Sequence, residues 1–333
     1  MGRYHVYGIG NALVDIEFRV TPEDLSTLGI DKGVMTLVEA AHQSELVQAL
    51  REQQVHRSAG GSAANTVIAL CQLGGSGFYS CKVADDELGH LYIDDLQANG
   101  VDTNAREHSE PGDTGRCLVL VTEDADRTMC TYLGITGDLG PGEVVPEALR
   151  DSDWLYIEGY LATSDTARAA VAHARGIARE AGVRTALSLS DPNVVRLFGE
   201  GLREMIGDGV DLLFSNEHEA LEISGSRDLD DAVAALQRLA GRFVITRGAR
   251  PAVVYDGASL TEVPAHPVKP LDTVGAGDIF AGAFLYGLGE GWPATRAAEL
   301  ANGIAARLIT SYGPRLDRPT MEGLRDEFTS ATA

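Results

Sequence analysis

The stretch DTVGAGDIFAGAFLYGL, residues 272–288, crowds chemistry into its first half. Gly275, Ala276 and Gly277 carry almost no side chain, so their backbone N–H groups are free to converge on one point. The apolar positions Ile279, Phe280, Ala283, Phe284 and Leu288 predict a helix whose positive end aims at that point. Such a point holds an anion. Asp278 falls in the first turn of this helix, and a carboxylate beside an anion site has one economical use: it accepts the proton of a hydroxyl as the oxygen attacks phosphorus. A plainer alternative, a glycine-rich turn with Asp278 as ordinary decoration of a helix N-terminus, stays open on these residues alone, because short glycine motifs recur by chance.

Two commoner phosphate devices are missing. GxxxxGK[ST] needs a lysine after a glycine, and none of the three lysines, Lys32, Lys82 and Lys269, follows Gly or precedes Ser or Thr. The dinucleotide fingerprint GxGxxG is approached by GIGNAL, with Gly8 and Gly10, but Leu13 stands where the third glycine would let helix and strand close up. Hydride transfer is therefore disfavoured.

The elements that must position Asp278 read as a layered α/β sheet with helices on both faces, since apolar strands alternate with amphipathic helices nearly end to end. Strands are expected at 4–9, 12–19, 34–38, 78–83, 116–122, 127–133, 154–158, 183–189, 211–215, 242–246, 252–255 and 259–263. In SAANTVIALCQLGG the apolar set Ala64, Val67, Ile68 and Cys71 repeats at helical spacing and stops at Gly74. Residues 164–180 do the same through Ala167, Ala170, Val171, Ala174 and Ala178. One region breaks the alternation: 116–122 and 127–133 form a hairpin across Glu123, Asp124, Ala125 and Asp126, and with 12–19 and 34–38 they predict a small sheet with no helix to cover it. Such a sheet would be a lid. With no linker, repeat or low-complexity tract, residues 1–333 are expected to form a single large domain whose lid is built from insertions at about 12–19, 34–58 and 110–136.

Composition narrows the partners. The 333 residues carry a formal net charge of −22, which repels polyanions and argues against nucleic acid or anionic membranes as partners, so any anionic small ligand must be held by local features. MGRYHVYGIG lacks the pattern of a signal peptide and no apolar run approaches the roughly 20 residues of a membrane span, so a cytoplasmic location is expected. Cys71, Cys81, Cys117 and Cys130 show no CxxC pairing and the histidines no HxxxH or HxH spacing, which leaves buried reduced thiols and no zinc site.

Two long signatures in order, GGSAANTVIALCQLGG at 60–75 and DTVGAGDIFAGAFLYGL at 272–288, with SNEHEA at 215–220 and VITRGA at 244–249 between them, give a resemblance that spans nearly the whole chain. The sequence resembles the ribokinase-like carbohydrate kinases, the phosphofructokinase-B group. Through GIGNALVDIE, GGSAANT and LSLSDP it looks most like the adenosine kinases. The resemblance implies a three-layer αβα sandwich with a small β-sheet lid, and an ATP-dependent, Mg²⁺-requiring phosphotransferase. Asp278 would be its base and Gly275, Ala276 and Gly277 its anion hole. It implies that Asp15, Asn11 and Asn65 bind a ribose-like ring with Gly60 and Gly61 letting the ring approach the backbone. Asn216 and Glu219 would reach the water shell of Mg²⁺ and the ATP phosphates, Thr246, Arg247 and Gly248 would border the nucleotide, and Asn302 would flank the adenine. Asp272 matches a position that in many relatives helps bind a monovalent cation, with Gly313 in a second loop, so potassium activation is implied too. Arg127, on the lid, would bring positive charge toward the phosphates on closure. It also implies a homodimer paired through the lid.

Each assignment has a structural alternative on the residues alone. Asn65 could pair within its helix, Asp15 could be a solvated strand residue, NxxE could be a solvated helix face, and Arg127 could pair with Asp124 or Asp126 across the turn. The acceptor favoured is the 5′-hydroxyl of adenosine, with Leu13, Leu118, Tyr132 and Leu133 offered as apolar surface for the purine. The alternatives are a sugar kinase acting on ribose or fructose and a non-catalytic nucleotide-binding regulator.

Overall fold

The computed structural model describes residues 2–33, 35–106, 109–124 and 127–331. Along the chain come β1 (Tyr4–Ile9), β2 (Leu13–Arg19), β3 (Met35–Leu37), β4 (Gln54–Ala59), β5 (Gly77–Ser80), β6 (Val101–Asp102) and β7 (Gly115–Val121). They are followed by β8 (Arg127–Tyr132), β9 (Ser152–Glu158), β10 (Arg184–Ser188), β11 (Leu212–Asn216), β12 (Phe243–Arg247), β13 (Arg250–Tyr255) and β14 (Leu260–Val263). The larger sheet runs β14-β13-β12-β11-β10-β9-β1-β5-β6, parallel from β6 to β12 and antiparallel at β13 and β14. Its central strands are buried on both faces, as strands covered by crossover helices must be. In β9, Trp154 and Tyr156 enter one apolar cluster while Leu155 and Ile157 enter the other, so the sheet separates two helical layers. The expected α/β sandwich is what the chain forms.

The smaller sheet runs β3-β8-β7-β2-β4. Two expectations need correction there. β4, with the sequence QVHRSA, was not expected as a strand, because its composition lacks apolar alternation and its pairing with β2 is a tertiary choice. The sheet is also not bare. The Ala40–Ala49 helix packs on it, with Gln43 Nε2 donating to the carbonyls of Arg116 (2.9 Å) and Cys130 (3.1 Å), and Leu46 and Leu50 join Ile16, Phe18, Leu118 and Leu120 in one cluster. That helix carries few apolar residues, so its period was easy to miss. The opposite face, with Leu13 and Asp15, turns toward the larger sheet. Val34 of the expected strand 34–38 and Ala125 and Asp126 of the expected hairpin turn lie outside the described residues.

Two helices bring the two signatures together. The Ser62–Gln72 helix packs along the Ala276–Gly289 helix so closely that a Cβ on Gly282 would lie 2.4 Å from the Thr66 carbonyl oxygen and 2.8 Å from Ala69 Cβ. Backbone cannot yield as a flexible side chain does. Gly282→Val should therefore force the helices apart and lower stability by about 1–3 kcal/mol, read as a drop in denaturation midpoint, while Gly323→Ala, with open space at its Cβ inside the Arg318–Ala331 helix, should raise stability by about 0.5–1 kcal/mol.

Candidate active site

A cavity of about 440 Å³ opens at the C-terminal ends of the parallel strands, where α/β sheets offer a crevice. Its floor takes Asn11 after β1, Glu158 from β9, Ser188 from β10, Asn216 from β11 and Thr246 from β12; Leu13, Asp15, Met35, Cys117, Met129 and Thr131 of the smaller sheet line its other side. Asp278 sits on the floor. Its Oδ1 accepts from Ser62 Oγ at 2.6 Å and its Oδ2 from Asn65 Nδ2 at 3.1 Å, two donors one helical turn apart. Burial pushes the Asp278 carboxyl up to about 6, against the lowering effect of those two bonds.

The turn before Asp278 has the expected form. Gly275 is the N-cap of the Ala276–Gly289 helix at φ +74°, and no side chain caps the helix. A Cβ at Gly275 would lie 2.3 Å from the Pro314 carbonyl oxygen, so both its conformation and the loop behind it demand glycine. Gly275, Ala276 and Gly277 all line the cavity. The uncapped N-terminus leaves main-chain donors for an anion, although the Ala276 N–H donates to the Thr273 carbonyl (3.3 Å).

The residues expected at a ribose converge, with one correction. Asn11, Asp15, Gly61 and Asn65 line the cavity; Gly60 does not. A Cβ on Gly60 would stand 2.3 Å from Asp15 Oδ2, so its bare Cα makes room for Asp15 and not for a ring. Gly61 adopts φ +93° against the Asn11 carbonyl. Asn65 Oδ1 is buried with no hydrogen-bond partner, an acceptor pointing at nothing the protein supplies. Burial pushes Asp15 up to about 7, opposed by the positive charges of Arg315 and Arg127. Of the apolar candidates, Leu13 and Leu133 line the cavity, whereas Leu118 is fully buried on the helix-covered face and Tyr132 is outside the lining, beside Arg116.

On the far side of the cavity the placement is mixed. Asn216 and Glu219 line it as a capping box: Glu219 N donates to Asn216 Oδ1 (2.9 Å), while Asn216 N and Nδ2 donate to the Glu219 carboxylate (2.9 and 2.7 Å). Burial pushes Glu219 up to about 7. Each of these oxygens already accepts a hydrogen bond but none faces a positive charge among the described residues, so the pair fits a cation only through that cation's own water shell, which magnesium keeps. Thr246 lines the cavity, but Arg247 bonds to Glu262 (2.8 Å), Gly248 (φ +62°) makes the β12–β13 turn, and Asn302 holds the carbonyls of Val263 (3.3 Å) and Pro264 (2.9 Å). Those three stand outside the lining. Arg127 Nη2 donates to Asp272 Oδ2, a partner that neither sequence reading named.

Several residues escaped the sequence. Ser62 stands one turn before Asn65, so once Asn65 was singled out the i, i+3 spacing could have found it. Glu158, almost fully buried, accepts from the backbone N–H of Asn11 (2.7 Å) and Ala63 (2.9 Å) and fixes both segments at the floor; its signal was a lone carboxylate ending an apolar strand. Ser190 lines the cavity at φ +71°, a conformation rare for a non-glycine residue.

The family model described as pfkB family carbohydrate kinase matches residues 24–321. The chain belongs to this family. Among solved structures, the adenosine kinase from Sinorhizobium meliloti is 35% identical with a TM-score of 0.89, covering 99% of both chains. A probable sugar kinase from Rhizobium etli is 32% identical with a TM-score of 0.91, covering 100% of this chain and 99% of that one. The adenosine kinase of Saccharomyces cerevisiae is 26% identical over 327 residues, 92% of this chain and 95% of that relative. This pfkB kinase is an ATP-dependent phosphotransferase acting on a carbohydrate or nucleoside hydroxyl, and kinases of the family use ATP with Mg²⁺. No helix among the described residues is long and apolar enough to cross a membrane.

The cavity holds four carboxyls, Asp15, Glu158, Glu219 and Asp278, whose folded pKa values burial raises to about 6 or 7. A raised acid binds its proton more tightly folded than unfolded, so ionising it opposes folding above the folded pKa and the opposition fades toward the unfolded value near 4. The melting temperature of the substrate-free kinase should therefore rise as pH is lowered from about 8 to about 5.5, and a scan that falls over this range would contradict the assignment.

Proposed function

We propose that this kinase transfers the γ-phosphate of ATP to the 5′-hydroxyl of adenosine, with Asp278 as the base. The observation that carries the reading is the Asp278 carboxylate at an uncapped helix N-terminus on the cavity floor, both oxygens oriented by Ser62 and Asn65. From there the acceptor proton passes to Asp278, the acceptor oxygen bonds to the γ-phosphorus, and the bond to the bridging oxygen breaks to release ADP. The amides of the 275–277 turn receive the charge on the transferring group. Glu219 and Asn216 would hold Mg²⁺ through water, and the ion supplies positive charge to the phosphate oxygens.

Asp15, Asn11 and the unpartnered Asn65 Oδ1 suit the hydroxyls of a ribose, since leaving such groups buried and unpaired costs about 1–3 kcal/mol each. Leu13, Met35, Met129 and Leu133 form an apolar, adaptable roof that suits a flat base more than a free sugar. A second reading, ribose or fructose as acceptor, is favoured by the same polar set, which any polyol would satisfy. We place the reaction in the cytoplasm, where the buried Cys117 of the roof stays reduced. β3 and β4, the open edges of the smaller sheet, would serve a homodimer.

Asp278→Asn should lower turnover by about 10²–10⁴-fold while ATP binding and a cooperative melting transition persist; retained turnover refutes the base. Because the base must be ionised, kcat/KM should fall as the pH drops through about 6. ADP release measured across nucleosides and free sugars decides the acceptor, and faster turnover of ribose than adenosine would reverse it.

A further inference from the structure

Asp272 is 4% exposed and both oxygens of its carboxylate already accept hydrogen bonds. Oδ2 accepts from Arg127 and from the backbone N–H of Gly313 (2.7 Å), and Oδ1 accepts from the backbone N–H of Val274 (3.1 Å). A potassium ion is bound through oxygen atoms. Here the oxygens of Asp272 face three N–H donors, one of them a guanidinium that neutralises the charge. The residues present therefore do not fit a metal cation.

The same contacts show what the ion pair holds in place. Through Val274, Asp272 fixes the start of the 272–277 turn, and through Gly313 it ties that turn to the loop whose Pro314 backs Gly275. Leu271 N and Asp272 N both donate to the Ile309 carbonyl (2.6 and 3.2 Å), closing the same junction. Arg127, by contrast, belongs to β8 of the smaller sheet, 145 positions away. In a strand, positions i, i+2 and i+4 share a face, and Met129 and Thr131 of that face line the cavity.

We propose that the Arg127 guanidinium takes the place of a monovalent cation at Asp272, so that the anion hole is completed only while the smaller sheet covers the cavity and the reaction needs no potassium. Arg127 is a positioning residue: it acts on the 275–277 amides through Asp272. The inference rests on the kinase reading above, and it deepens that reading by linking the presence of the roof over the acceptor to the geometry that receives the phosphoryl charge. A soluble cation would act whether or not the roof is down; a cation fixed to the roof strand arrives with it.

Turnover of the wild type is measured in potassium, sodium and choline chloride at equal ionic strength, and the melting temperature of the substrate-free protein is followed in the same salts. Rates within about twofold and no potassium-specific rise in melting temperature are expected. A larger loss of rate in choline, or a potassium-specific stabilisation, overturns the proposal. Arg127→Ala should lower kcat by about 10–100-fold with a smaller change in KM for the acceptor, part of the loss should return on adding guanidinium chloride, and Arg127→Lys should retain more than Arg127→Ala. An undiminished kcat in Arg127→Ala also overturns it. Retained turnover in Asp278→Asn would instead sink Asp278 as the base, while the melting temperatures in the three salts would still report on the Asp272 carboxylate.

Discussion

The site depends on how closely two helices approach. Gly282 lies against the Thr66 carbonyl, and this contact sets the distance at which the Ser62–Gln72 and Ala276–Gly289 helices run beside each other. At the cavity end of the pair, Asp278 on one helix meets Ser62 and Asn65 on the other. A larger residue would widen the gap and leave a buried carboxylate without its two donors, which costs more than either hydrogen bond contributes. Packing deep in the apolar layer and orientation of the polar group at the surface of that layer are thus one constraint.

Burial of acids is the second consequence. Asp15, Glu158, Glu219 and Asp278 share one cavity in a chain whose net charge is −22, and the last three accept hydrogen bonds from the protein. Glu158 takes two backbone N–H groups, Glu219 closes a helix cap, and Asp278 takes two side chains. The positive charge that offsets Asp15 comes from outside the floor: Arg127 sits on the smaller sheet, and Arg315 is anchored to Asp95 (2.7 Å) and to the Ala59 carbonyl. Neither arginine lines the cavity, so the floor stays free for ligand.

Much of this was legible in the sequence because local rules agree with the fold. The strands of the larger sheet are nearly continuous apolar runs, and the 272–288 motif writes a positive-φ cap, a first-turn acid and an apolar helix in consecutive letters. What was not legible depends on pairings between distant segments. β4 is a strand only because β2 accepts it, and the Ala40–Ala49 helix covers the smaller sheet with a few apolar side chains that show no clear period. Gly60 was read as clearance for a ligand, whereas the atom it clears is Asp15 Oδ2, a relation across 45 positions that no spacing rule encodes. Arg127 finding Asp272 is of the same kind. The NxxE pair shows the opposite case, since two carboxamide and carboxylate groups three apart at a helix start form a capping box by local geometry and still face the cavity.

Absence of a lysine loop suits the acid that does the proton transfer. A lysine close enough to neutralise a phosphate above Asp278 would also be close enough to pair with Asp278, and such a partner lowers a carboxyl's pKa and weakens it as a base. Main-chain amides at a helix mouth act differently: they are fixed, carry only partial charge, and need no reorganisation as charge develops on the transferring group. Ser62 and Asn65 orient the carboxylate through neutral hydrogen bonds, which lower its pKa less than burial raises it. The carboxyl therefore stays near 6, ionised at neutral pH yet basic enough to hold a proton in the transition state. An anion hole of main-chain amides, with no lysine paired to Asp278, permits that carboxylate to sit beside a phosphate and keep its basicity.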